Sequence, residues 1–179
     1  MRALMRFLSG CCLLVTLAAC RGDRMPAEVT PKPAVVAEQW AIAAEASSRY
    51  ASPDWSPARA TGAPDVQMCA DDPRAWASAR GNGLEWLQLR FEKPVYATEV
   101  RAFQTLGPGA IARVHLLDVA GGQNLVWEGT DTSLICPGVF TASFPRTDYL
   151  VVGVRLELDE SRTGFWNQID AVELVGILP

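Results

Sequence analysis

The feature that most constrains this 179-residue chain is a period-two alternation near its C-terminus. Leu150, Val152, Val154, Leu156 and Leu158 alternate with Tyr149, Val151, Gly153, Arg155 and Glu157. Successive side chains of an extended chain point to opposite faces, so the pattern predicts a strand with one face in a core. Leu87, Leu89 and Phe91 alternate with Gln88 and Arg90 in the same way. Further strands are predicted over 95–105, 111–118, 124–128, 138–144 and 169–177. Turn residues fall between them at Gly107-Pro108-Gly109, Gly121-Gly122 and Pro145-Arg146-Thr147. The one helical competitor, Ala34–Ser48, spaces its apolar residues poorly for a helix, and Trp40, Ile42, Ala44 and Ala46 fit alternation equally well. A strand from about Gln39 to Ser47 is preferred. Many short strands with glycine and proline turns predict an all-β chain built as an antiparallel sandwich.

The N-terminus has a different character. Arg2 and Arg6 precede an apolar stretch from Phe7 to Ala18, and small residues stand directly before Cys20. This is the anatomy of a secretory signal, too short to span a bilayer. Leu17-Ala18-Ala19-Cys20 resembles the bacterial lipobox, in which the cysteine is acylated and becomes the mature N-terminus. An ordinary signal cut near Cys20, or an uncleaved apolar helix, are the alternatives. Residues 21–36 hold three prolines, several charges and few large apolar groups, as a tether would. The chain therefore divides into a signal peptide over 1–19, a lipid-anchored tether over 20–38 and a sandwich domain over 39–179. Arg21 is not the aspartate associated with retention at the inner membrane, so resemblance points to the outer membrane. Arg21-Gly22-Asp23 is a chance tripeptide beside the anchor.

Charge and cysteines narrow the function. The chain carries 16 basic and 20 acidic residues, and the leader removes two arginines, leaving 14 against 20. A mildly acidic chain without a basic run argues against nucleic acid as partner. Cys11 and Cys12 leave with the leader and Cys20 would carry lipid. Cys69 and Cys136 remain, an even pair in an oxidising compartment, and read as a disulfide. Two metal-bound thiols are the alternative, without CxxC spacing or a nearby histidine. His115 is the sole histidine and lies on the outward side of an alternating run, so no conventional nucleophile–base relay can be assembled. Asp71-Asp72 and Asp159-Glu160 read as solvated turns, not a catalytic carboxylate pair. The residues point to a non-enzyme.

Several segments together resemble the galactose-binding-like jelly roll shared by discoidin, coagulation-factor C-type modules and many carbohydrate-binding modules. They are Ala46-Ser47-Ser48-Arg49-Tyr50, Ala60-Thr61-Gly62-Ala63-Pro64-Asp65, Ala75-Trp76-Ala77-Ser78, Glu85-Trp86-Leu87-Gln88-Leu89 and Ile169-Asp170-Ala171-Val172-Glu173-Leu174. Pro94-Val95-Tyr96-Ala97-Thr98 and Pro108-Gly109-Ala110-Ile111 strengthen the likeness to the subgroup found in pappalysin-type extracellular proteins. The resemblance spans Trp40 to Gly176.

That resemblance implies a binding module that displays loops to a carbohydrate or a cell-envelope protein. The alternative is a structural subunit of an envelope assembly. It also implies one structural calcium ion held by Asp65 and Glu173 with Thr61 and main-chain carbonyls, where the family often has an acid in place of Thr61. Hard oxygen donors of this kind suit Ca²⁺. A turn cap at Asp65 and a solvated Glu173 are the bland alternative. Exposed aromatics on loops offer flat apolar area for stacking on sugars. Tyr50, Trp55 and Trp76 are the candidates, Trp55 foremost. Trp40, Trp86 and Trp127 are read as core or near-core, and Trp166 as framework.

Overall fold

A computed structural model describes residues 33–179. The signal peptide, Cys20 and most of the expected tether lie outside the described residues. Eight strands follow in order: β1 (Val36–Trp40), β2 (Ala43–Ala46), β3 (Leu84–Leu106), β4 (Ile111–Asp118), β5 (Gln123–Glu128), β6 (Gly138–Ser143), β7 (Val151–Asp159) and β8 (Gln168–Ile177). All neighbouring strands run antiparallel. One sheet has the order β1-β8-β3-β6 and the other β2-β3-β7-β4-β5.

The predicted strands thus exist, with informative departures. The two predicted strands around Leu87 and Val95 are one 23-residue strand that serves both sheets. Its first half pairs with β7, its second with β8, and the register shifts between Arg90 and Val95 where the chain changes sheets. The expected strand over 39–47 is two strands instead. Ala41 N donates to Val172 O and Ile42 N to Arg90 O, so the chain crosses from one sheet to the other at these two residues. β1 also begins at Val36, so residues 36–38 belong to the domain and not to the tether. They satisfy an edge of β8 that would otherwise leave its amides unpaired.

The core lies between the sheets. Leu87, Leu89, Val114, Leu116, Leu156 and Leu158 from one sheet pack with Val100, Ala102, Val172 and Leu174 from the other, all fully buried. The alternation around Val151 slips, so that Val151 is buried and Val152 is half-buried. The pairing of β4 with β7 shifts between Leu117 and Asp118, and such a shift flips side chains to the other face. Cys69 and Cys136 form the predicted disulfide. It ties the segment ahead of Asp71 to the segment that leads into β6.

Candidate functional site

Four segments far apart in sequence build an aromatic cleft. Its lining includes Tyr50, Trp55, Asp71, Leu106, Phe165 and Trp166, over a floor of Ala77 and Gln168. The loop after β2 brings Tyr50 and Trp55. Tyr50 N donates to Ala77 O at 2.8 Å, Trp55 N to Pro73 O at 3.1 Å, and Ala77 N back to Trp55 O at 3.2 Å. These bonds lace the 50–55 loop onto the 73–77 segment. Trp55 has φ of 51°, the left-handed region in which bulky residues are rare and strained. Strain of about 1–3 kcal/mol persists only where the surroundings enforce it, and it concentrates at functional sites.

The second wall is the loop between β7 and β8. Trp166 Nε1 donates to Ser78 O at 3.1 Å. Its main chain passes so close to Gly81 and Gly107 that a Cβ at either position would collide with it. Gly107 also sits at φ of 54°. Beneath this loop Glu160 is fully buried, accepting from Ser78 Oγ at 2.7 Å and from Asn167 N at 3.2 Å. The reading of Glu160 as a solvated turn residue is therefore corrected: its carboxyl points inward and braces the loop. Desolvation by burial pushes its pKa up to about 7.

Edge-to-face pairs set the ring orientations. Tyr50 meets Trp55 with centroids 5.3 Å apart and Trp166 with centroids 6.0 Å apart, while Phe165 meets Trp166 at 5.6 Å. Such pairs favour one arrangement of rings and so make a rigid surface. One carboxylate stands among them. Asp71 Oδ1 accepts from Trp55 Nε1 at 2.9 Å and from Gln168 Nε2 at 2.6 Å. Gln168 Oε1 accepts from Asp72 N at 3.1 Å, which fixes the orientation of that amide. The recess is shallow, about 90 Å³. That is well below the ~300–1,000 Å³ of pockets that engulf a ligand, so the cleft works as a platform with one polar end.

Of the three predicted aromatics, the structure brings Tyr50 and Trp55 together and removes Trp76. Trp76 is fully buried, its indole N–H donating to Ser48 O at 3.1 Å and its main chain bridging Ile169. It is core, because the 73–77 segment lies on β8 instead of looping into solvent. Sequence reasoning missed Trp166, Phe165, Asp71 and Gln168. The adjacent aromatic pair Phe165-Trp166 directly after a glycine was the available signal. Asp71 carried none beyond its place two residues from Cys69. Trp127 packs edge-on against Phe140 as expected, whereas Trp86 lies under the Arg155 guanidinium at 4.1 Å.

The residues expected to hold calcium do not fit that ion. Thr61 Oγ1 donates to Ala58 O at 2.7 Å. Glu173 Oε2 accepts from Arg101 Nη1 at 2.9 Å. The carboxylate of β8 that meets the Asp65 loop is Asp170, which accepts from Asp65 N at 2.9 Å and Val66 N at 3.0 Å. The Asp65 carbonyl, an oxygen a cation would need, accepts from Arg74 Nη1 at 3.0 Å. That guanidinium also pairs with Asp72 at 2.7 Å. A resident cation already sits where the loop's oxygens converge, and among the described residues no three His, Cys, Asp or Glu side chains are placed to hold a metal ion.

The comparisons with known proteins agree with this architecture. A model of the pappalysin-1 SD scarf domain, C-terminal, matches residues 31–178. The chain belongs to the pappalysin-1 SD scarf domain family. No curated protein matches the chain. Among solved structures, truncated AlyQ, which carries CBM32 and alginate lyase domains, is 15% identical with a TM-score of 0.59. That match covers 82% of this chain and 35% of that one, so the scarf domain spans about a third of the neighbour's length. The chitosan-binding module 1 of the Paenibacillus sp. IK-5 chitosanase/glucanase is 18% identical, with a TM-score of 0.55 and coverage of 74% and 92%. The family 32 module of C. perfringens NanJ, in complex with galactose, is 16% identical, with a TM-score of 0.56 and coverage of 78% and 99%. At these identities the likeness is one of fold: a galactose-binding-like jelly roll.

Proposed function

We propose that this scarf domain is a non-catalytic module that binds a saccharide on the cleft between Tyr50, Trp55 and Trp166, and that Cys20 anchors it by lipid to the bacterial outer membrane. The observation that carries the binding reading is the rigid aromatic platform itself, with Tyr50 and Phe165 exposed and a fixed carboxylate at its edge. A sugar ring has an apolar C–H face and an equatorial rim of hydroxyls, which suits an aromatic surface bounded by an oriented acceptor. The solved neighbours that share this fold include modules with bound carbohydrate, which supports the same reading. Lipidation would hold the cleft near the envelope, with the residues ahead of Pro33 as its tether. Glycan-array binding by residues 33–179 tests the function. Binding that falls at least tenfold in Trp55→Ala is expected, and binding unchanged by that substitution would remove this cleft as the site.

A second reading, a structural subunit of an envelope assembly, rests on a different observation. Met68, Leu134 and Ile135, brought together by the Cys69–Cys136 bond, are 70%, 88% and 78% exposed. Exposed apolar clusters of this kind mark contact surfaces. A chain that pulls down an envelope protein with wild-type affinity in Trp55→Ala, but not in Leu134→Ser with Ile135→Ser, would favour it.

A further inference from the structure

The cleft holds one fixed negative charge and no positive one. Its ionisable lining residues are Tyr50 and Asp71, and no Lys, Arg or His lines it. Arg74, three residues after Asp71, is paired with Asp72 and Asp65, and Arg49, next to Tyr50, is not among the lining residues. Asp71 is held from one side only. Trp55 and Gln168 both donate to Oδ1, and Oδ2 receives no protein hydrogen bond among the described residues. Asp71 thus lines a recess walled by the π-systems of Tyr50, Trp55, Phe165 and Trp166 with one carboxylate oxygen left open.

We propose that this cleft selects saccharides bearing a free amino group, the ammonium seated against Asp71 within the aromatic wall. The inference rests on the saccharide reading above and names its ligand class. Two effects act in the same direction. A hydrogen bond from an ammonium to a carboxylate is about twice as strong as one between neutral groups. Aromatic faces attract a cation through the ring quadrupole, most of all where water is partly excluded. A uronate in the same place would set its carboxylate against Asp71 with no cation to offset the repulsion, and an acetamide would keep a neutral N–H bond but lose the charge.

The test compares three hexamers, of glucosamine, N-acetylglucosamine and galacturonate, by calorimetry with residues 33–179 at pH 6. Wild type is expected to bind the glucosamine hexamer about tenfold more tightly than the acetylated one, and the galacturonate hexamer least. Asp71→Asn keeps an Oδ1 that accepts from Trp55 and Gln168, so the platform stays intact. It should abolish the preference, so that the glucosamine hexamer binds no more tightly than the acetylated one. Asp148→Asn removes one charge from an exposed site outside the cleft and controls for general attraction of a polycation to an acidic chain; it should change nothing. Equal wild-type affinity for amine and acetamide, tighter binding of galacturonate, or a preference for the amine that survives Asp71→Asn overturns the selection by charge and leaves saccharide binding standing. Failure of all three hexamers to bind overturns both readings.

Discussion

Glu160 makes a pH dependence of stability that can be worked from the structure. It follows β7 at the root of the loop that carries Phe165 and Trp166, and none of it reaches solvent. Burial raises its pKa from 4.5 to about 7, the nearby Glu85 carboxylate adds to the rise, and bonds from Ser78 and Asn167 oppose it. Ser78 has one hydroxyl proton and two acceptors in reach, Arg80 O at 3.0 Å and Glu160 Oε2 at 2.7 Å. A protonated Glu160 resolves that competition by donating to Ser78 Oγ while Ser78 donates to Arg80 O. Ionised, it takes the Ser78 proton and leaves the Arg80 carbonyl without its partner. Because the folded-state pKa lies above the unfolded one, the folded chain retains a proton that the unfolded chain has lost between these values. The stability that Glu160 contributes is therefore fully present below pH 4.5 and is lost as pH rises through 7. The gap corresponds to roughly 3 kcal/mol. Glu160→Gln mimics the neutral acid, its Nε2 donating to Ser78 and its Oε1 accepting from Asn167 N. Urea unfolding of residues 33–179, disulfide intact, from pH 4.5 to 8.5 should show the two proteins nearly equal at the acid end and the variant roughly 3 kcal/mol more stable at pH 8. Asp170, whose carboxyl burial also raises, tilts both curves alike, so the difference between them isolates Glu160. Parallel curves, or a variant weaker by the same amount at every pH, would refute the reasoning.

Removing the disulfide by Cys69→Ser with Cys136→Ser reopens a span of 67 residues. Denaturant unfolding should show a loss of about 4 kcal/mol, and the shift should match that of the wild type under reductant. Gly107→Ala is expected to act on the cleft. A Cβ there strikes the Trp166 carbonyl at a backbone conformation already unfavourable for alanine. Far-UV circular dichroism should keep its strand signal while saccharide binding falls at least tenfold, and full binding by this variant would show that the loop position does not matter.

How much of the fold could be read from the sequence depended on which scale fixed each element. The alternations at Leu87–Phe91 and Val154–Leu158 are local, and strands appear where they predict. The passage of β3 from one sheet to the other is not local. It happens at Glu92-Lys93-Pro94, where Gln39 from β1 accepts from Lys93 N at 3.0 Å and donates to Lys93 O at 2.7 Å. Nothing within five residues of Lys93 reveals a partner 54 positions away. The split of the first strand into β1 and β2 has the same origin, since Ala41 and Ile42 read as continued alternation until each finds a different sheet.

The site obeys the same division, with a consequence for what holds it together. Trp55 and Trp76 both stand among small and polar residues, and only the register of the 73–77 segment against β8 sends one outward and the other into the core. Asp71 gains its meaning from Trp55, sixteen residues before it, and Gln168, ninety-seven after it. None of the cleft's segments could orient that carboxylate alone. The stretch just ahead of Asp71 is held by Ala70 N, which donates to Thr105 O at 3.2 Å, and by Cys69, which is bonded to Cys136. A covalent tie two residues from the one fixed charge in the cleft therefore does more than restrict the unfolded chain. It limits how far Asp71 can drift from the aromatic wall, so the oxidised bond and the proposed selectivity rest on the same short segment.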